Sequence, residues 1–298
     1  MRSFLELCRF ITSHPLPRSK VAALYQFVIW QLGARLLRKK VVVPWVDESR
    51  FVCGIGEAGL TGNLYAGFME YKDMLFLLHS LSREEVFVDI GANVGAYTIL
   101  ASKCVQAKTI AFEPIPETVE RLLDQIQINR VSDLVSVRNK GVAEDKGTLY
   151  FSNSHDTVNR VIEFGGSECA SQVEVVSIDQ ELPRGQRYFF KIDVEGYELN
   201  VIKGGADVLS SPLTSVVIIE MNGSGESYGH TNQDVHTLLV RLGFSPCSYE
   251  PFSRSLKKLS NFNDANGNMI YVRNISEISA RCRGAPLRKI HTAGGVEV

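Results

Sequence analysis

The chain has 298 residues, 45% hydrophobic and 22% charged, which excludes a disordered composition and supports one large core or two modest ones. With 32 basic and 33 acidic side chains the formal net charge is -1, so bulk charge does not recommend nucleic acid as a partner. Cys8, Cys53, Cys104, Cys169, Cys247 and Cys282 stand singly with no CxxC pair, which suits reduced thiols in a cytoplasmic protein.

From the N-terminus, MRSFLELCRFITSHP carries acid and proline and lacks the apolar run of a secretory signal. Val21 to Leu37 is apolar at helical spacing through Val21, Leu24, Tyr25, Val28, Leu32 and Leu36, and is followed by Arg38, Lys39 and Lys40. Gln26, Gln31, Gly33 and Arg35 make it too polar to span a bilayer. Two readings stand: a helix packed on the domain, or a membrane-surface helix spanning residues 21–40, which would put the protein at the inner membrane surface. The short apolar strands VVVPWV and SRFVCGI complete a preface over residues 1–80.

From Val86 the rhythm changes. VFVDIGA predicts a strand, about Val94 to Cys104 a helix, TIAFEP a strand, Pro116 to Asn129 a helix with proline in its first turn, and LVSVRNKGVA a strand. That alternation predicts an α/β fold, a mostly parallel sheet with helices on both faces. GTLYFSN and VEVVSID read as short extra strands; RYFFKIDVEG and SVVIIEMNG resume the main sheet, with a short helix from about Tyr197 between them. A helix from about Gln233 to Leu242 leads to FSPCSYEP and NMIYVRN, expected as a closing antiparallel hairpin, with the basic run Arg254 to Leu259 in its solvated connection. The core domain is thus expected over residues 81–274, and residues 275–298 as a frayed basic tail.

The turn after VFVDI reads Gly91, Ala92, Asn93, Val94, Gly95. A dinucleotide turn needs G-x-G-x-x-G, its second glycine admitting the pyrophosphate, and here Asn93 takes that place. A side chain there obstructs a pyrophosphate and suits S-adenosylmethionine, with Asp89 near its cationic end and the Gly91 backbone close by. Glu113 stands twenty-two residues after Gly91 at the end of the next strand, where a carboxylate can accept hydrogen bonds from both ribose hydroxyls. Asp89 and Glu113 can alternatively cap the helices that follow them.

Together VDIGANVGAYT, AFEP, VVSID, KIDVEGYE and KGG resemble the FkbM family of S-adenosylmethionine-dependent methyltransferases, over roughly Val86 to Met221. LTGNLYAGFMEYKDM also looks like the sequence ahead of the core in a polysaccharide-associated branch. The resemblance implies a class I methyltransferase (Rossmann-like) fold, a seven-stranded sheet with its last strand antiparallel, and O-methylation, commonly of a sugar or polyketide-type hydroxyl. Carried over by position, Asp89, Gly91, Asn93 and Gly95 line the methionine end, Glu113 the ribose, and Gly141 to Ala143 the adenine.

KIDVEGYE offers Lys191, Asp193, Glu195 and Glu198 at the cofactor edge, and alternation puts the first three on one side while the strand stays extended. Asp193 or Glu195 is expected to serve as base or orienter with Lys191 holding the carboxylates; the other reading is a buried ion-pair cluster that secures the turn. A divalent metal at these acids stays open as an alternative, but no neighbouring histidine or third carboxylate in the sequence completes a site and no metal ligand is assigned. Glu220, His155 and His230 are further acid-base candidates, and Asn63 and Tyr65 candidates for a lid. The leading expectation is an S-adenosylmethionine-dependent O-methyltransferase acting on a sugar hydroxyl of a glycan. Alternatives are a polyketide-type acceptor, a nicotinamide-dependent oxidoreductase, or a non-catalytic adaptor on the same fold.

Overall fold

The computed structural model describes residues 4–37, 40–54, 58–152, 161–162, 170–262, 267–291 and 295–298. His155 and Cys169 lie outside them. The chain opens with α1 (Phe4–Ser13), α2 (Lys20–Leu37), the antiparallel pair β1 (Val41–Pro44) and β2 (Arg50–Cys53), α3 (Ala58–Ala66) and α4 (Tyr71–Ser80). Then follow β3 (Val86–Ile90), α5 (Ala96–Ile99) running on as a π-helical turn Leu100–Val105, β4 (Lys108–Phe112), α6 (Pro116–Asn129) and β5 (Val135–Arg138). The middle holds β6 (Gly141–Val142), β7 (Gly147–Ser152), β8 (Val161–Ile162), β9 (Ala170–Val176) and α7 (Ile178–Glu181). The rest comprises β10 (Tyr188–Ile192), α8 (Glu198–Lys203), α9 (Ala206–Ser210), β11 (Thr214–Met221), α10 (Asn232–Arg241), β12 (Ser245–Glu250), β13 (Ser255–Lys258), β14 (Gly267–Val272), α11 (Ile275–Gly284), β15 (Lys289–Ile290) and β16 (Val296–Glu297).

The main sheet has the order β13-β12-β14-β11-β10-β3-β4-β5. Its centre is parallel and buried on both faces, which is why VFVDI, YFFKI and TSVVIIEM are mostly apolar, broken chiefly by Asp89, Lys191 and Glu220 toward their carboxyl ends. Alternate residues feed two cores. Phe87, Phe189 and Ile218 pack with Leu75, Leu100 and Ile278 on one face, while Val88, Phe190 and Ile219 pack with Val201, Leu209 and Leu239 on the other. The strand order reverses between β3 and β10, the crevice where open α/β sheets bind ligands.

Local chemistry fixes the ends of two helices. Pro116 starts α6, where its missing N–H costs nothing, and Arg130 ends it in the left-handed region. Thr231 and Asp234 form a reciprocal capping box at the start of α10.

Three expectations change. The closing pair is no simple hairpin: β14 inserts antiparallel between β11 and β12, and the basic run expected in a loop supplies β13 as an eighth, edge strand. The strand read from LVSVRNKGVA divides, β5 joining the main sheet and β6 a second sheet of order β6-β9-β7-β8. Residues 275–298, expected as a frayed tail, form α11 and the β15–β16 pair instead. Ile278 and Cys282 are fully buried, and Arg281 reaches the buried carboxylate of Glu85 at 2.6 Å.

Candidate active site

The site lies at the carboxyl ends of β3, β4 and β10, in a cavity whose lining includes Asp89, Gly91, Asn93, Glu113, Asp193 and Glu195. Gly91 is where two strand ends meet. Its φ is +79°, and a Cβ there would stand 1.8 Å from the carbonyl oxygen of Asp193. Only glycine permits that crossing. The Gly91 and Ala92 N–H groups both donate to Phe112 O, tying the turn to the end of β4.

Asn93 also adopts a left-handed conformation, φ +50°, one that asparagine tolerates better than most residues. Its Oδ1 accepts from the Val94 N–H at 2.8 Å, so the side chain shapes the turn. Its own N–H donates to Glu113 Oε2 at 2.9 Å, and the Ile115 N–H donates to Oε1 at 3.0 Å. Each carboxylate oxygen keeps acceptor capacity for a hydroxyl. Burial pushes Glu113 up to about 7 although those two N–H groups pull it down.

Asp89 is buried and accepts from Thr98 Oγ1 at 2.6 Å; burial pushes it up to about 6 against the Thr98 hydrogen bond and the nearby Lys191 charge. Asp89 and Lys191 stand in register on adjacent parallel strands, which brings them to the same face. Lys191 Nζ pairs with Asp193 Oδ2 at 2.9 Å and sits 5.3 Å from the centre of the Tyr97 ring. Burial alone would push this ammonium down, but Asp193 and Glu70 override it and hold it above the usual lysine range.

The acids converge through a turn rather than a pleat. β10 ends at Ile192 and Glu195 has φ +53°, so the alternation expected across Lys191, Asp193 and Glu195 stops before it reaches the last of them. Glu220, next to the end of β11, supplies the third carboxylate missing from the local sequence. Oxygens of Asp193, Glu195 and Glu220 all lie within 4.8 Å of one another, a set of oxygen donors that can hold a divalent cation. Burial, then the charges of Asp193 and Glu198, push Glu195 up to about 7. Glu220 is raised well beyond it by burial and by Asp193 and Glu195, and its Oε2 has no hydrogen-bond partner among the described residues.

Other expected residues fall elsewhere. Gly95 (φ +92°) lies beside the cavity, where a Cβ would meet Leu122 at 2.5 Å, so this glycine serves the packing of α5 on α6. Of the stretch expected against adenine, Gly141 and Val142 line the cavity beside Ile115, whereas Ala143 is buried behind the lining with its carbonyl oxygen against Gly204. Glu198 accepts from the Val194 and Gly196 N–H groups and secures the turn. Asn63 lines the cavity and accepts from the Met69 N–H, whereas Tyr65 packs edge-on against Phe27. His230 is buried against Gly225, outside the cavity lining.

Sequence reasoning missed Glu70, Asp73 and Tyr97. The Tyr97 hydroxyl donates to Glu70 Oε2 at 2.7 Å, and Asp73 accepts from Asn268 Nδ2 at 3.3 Å. Burial, then Glu70, push Asp73 up to about 7. Glu70 stands at the N-cap position of α4 without a side-chain capping bond and joins the site only through tertiary packing; its local signal is an acid beside an apolar helix.

Strand order, the antiparallel insertion of β14 and the glycine turn over a strand-end acid define the class I methyltransferase fold. The FkbM methyltransferase domain model matches residues 89–246, and the chain belongs to that family. It is similar to the hexuronic acid methyltransferase AglP of Haloferax volcanii, 29% identical over 149 residues, covering 49% of this chain and 59% of that protein. It is also similar to methyltransferase sdnD of Sordaria araneosa, 26% identical over 190 residues, covering 52% of this chain and 73% of that one. Among solved structures, methyltransferase FkbM from Methylobacillus flagellatus KT matches with a TM-score of 0.46 and 15% identity, covering 70% of this chain and 51% of that one.

Proposed function

We propose that the protein is an S-adenosylmethionine-dependent O-methyltransferase whose acceptor is a sugar hydroxyl of a glycan. The observation that carries this reading is one cavity with Glu113 in its lining at the end of β4 and Asp193 and Glu195 in its lining beyond β10. Glu113 suits a ribose, Asp89 a cationic amino-acid end, and Gly91 the close approach of ligand to backbone. When bound, the cofactor supplies a methyl group on a sulfonium. The similarity to a hexuronic acid methyltransferase supports a sugar acceptor.

The chain's own residues align the acceptor and accept its proton. Glu195, raised to about 7, is matched to that task near neutral pH. Asp193 orients the hydroxyl while the Lys191 ammonium fixes its carboxylate. That ammonium offsets the Asp193 charge, and on this reading the transfer proceeds without a divalent metal.

Calorimetry is expected to detect S-adenosylhomocysteine and not NAD; the reverse overturns the cofactor assignment. With labelled methyl donor and uronic-acid-containing glycans, Glu195→Gln is expected to lower kcat by about 10²-fold or more while leaving cofactor binding intact. Asp193→Asn is expected to act mainly through acceptor positioning, and EDTA to leave turnover unchanged. Normal kcat in a folded Glu195→Gln protein removes the base role, and magnesium-dependent turnover removes the metal-free one.

A further inference from the structure

Helix α2 is apolar on two sides, and the protein covers one. Ala23 and Phe27 are buried with Leu64, Tyr65 and Ile11, and Trp30 packs against them. Val21, Tyr25, Val28, Ile29, Leu32 and Leu36 face out, between 45% and 83% exposed. Their spacing of three to four residues makes a single stripe along the helix. A row of six large apolar side chains left to water marks a contact surface rather than ordinary surface scatter.

The charge of the surrounding chain points to the occupant. Residues 7–46 contain Arg9, Arg18, Lys20, Arg35, Arg38, Lys39 and Lys40 and no acid, in a protein whose net charge is -1. Lys20 immediately precedes the stripe, and Arg35 to Lys40 follow or flank its last residue. Lys40 pairs with Asp124, and Lys20 donates to the His14 carbonyl oxygen. A second copy of the chain would bring this basic segment against itself, adding repulsion to every apolar contact. An anionic lipid surface offers an apolar layer with negative headgroups above it, matching both features. Among the described residues no helix is long and apolar enough to cross a membrane, so α2 would lie along the surface.

We propose that the exposed stripe of α2 docks the protein on an anionic lipid surface, its apolar side chains entering the headgroup region and the net positive charge of the surrounding sequence drawing it to lipid phosphates. This inference does not depend on the methyltransferase reading.

The test is co-sedimentation with vesicles of phosphatidylcholine alone and of phosphatidylcholine mixed with phosphatidylglycerol, with light scattering of the free protein alongside. The full chain is expected to bind the anionic vesicles, less so at high salt, and to bind the neutral ones weakly. Tyr25→Ser/Leu32→Ser/Leu36→Ser is expected to lower the anionic partition coefficient by about tenfold or more. Because these side chains are exposed, the variant is expected to keep the wild-type thermal midpoint and cofactor affinity. Absence of vesicle binding, or binding that the triple variant retains, overturns the proposal. A dimer that the triple variant dissociates, with no vesicle binding, overturns it in favour of self-association.

Discussion

At the scale of single residues, the site depends on a backbone crossing. Gly91 lets β3 end against the carbonyl of Asp193, and a methyl group has no room there. Gly91→Ala is expected to destabilise the fold by about 3 kcal/mol, combining left-handed strain with overpacking. It is also expected to weaken S-adenosylhomocysteine binding about tenfold or more; thermal unfolding and calorimetry read the two effects. Gly95→Ala makes the control. Its clash is with the end of the flexible Leu122 side chain, so stability should fall while much of the affinity remains. The sequence showed both glycines as members of one motif. It did not show that one makes room for the Asp193 backbone and the other for a side chain of α6, because that distinction lies in partners about thirty to a hundred residues away.

Among the elements, those with local signals were legible. Proline at its first turn and polar residues at its end bounded α6 at Pro116 and Asn129, the limits the structure shows. The glycine turn between β3 and α5 was equally legible, since strand, turn and helix follow within fifteen residues. What escaped was assembly: β14 slipping between β11 and β12, and the start of α4 bringing Glu70 into the cavity lining with Asp73 beside it. For α11 the signal was present and passed over. Asn274 precedes Glu277 by three residues and caps the helix, and Ile275, Ile278 and Cys282 share a face. The structure gives that helix an anchoring role, because Glu85 is wholly buried and Arg281 bonds both its carboxylate and the Ser80 carbonyl oxygen. Arg281→Ala is expected to cost about 3 kcal/mol in urea unfolding by leaving a buried charge unpaired. No loss would mean that the segment behaves as the frayed tail its composition suggested.

Across the whole molecule, several acids are buried in or around one crevice. Asp73, Asp89, Glu113 and Glu195 are pushed up to between about 6 and about 7, and Glu220 is raised further. Their unfolded counterparts titrate near 4. The native state therefore holds more protons than the unfolded state from about pH 4 to above pH 7. In that window stability falls as pH rises, since ionising the native acids forces charge into a desolvated site. The thermal midpoint of the free protein is expected to be higher at pH 6 than at pH 8, and Glu113→Gln is expected to shrink the difference. A midpoint that rises across that interval contradicts this account. Composition could not reveal the effect: 33 acids in a near-neutral chain look ordinary until the fold gathers several of them at one sheet edge.

The contact between Gly91 and Asp193 joins the two halves of that edge. The turn that would cradle the cofactor and the loop that carries the acids touch through backbone, with no side chain between them to absorb a shift. A displacement of the Gly91 turn is therefore expected to be felt by the peptide that carries Asp193. On the proposed function, any coupling between donor occupancy and the protonation of the acids beyond β10 is expected to be reciprocal, as linkage requires.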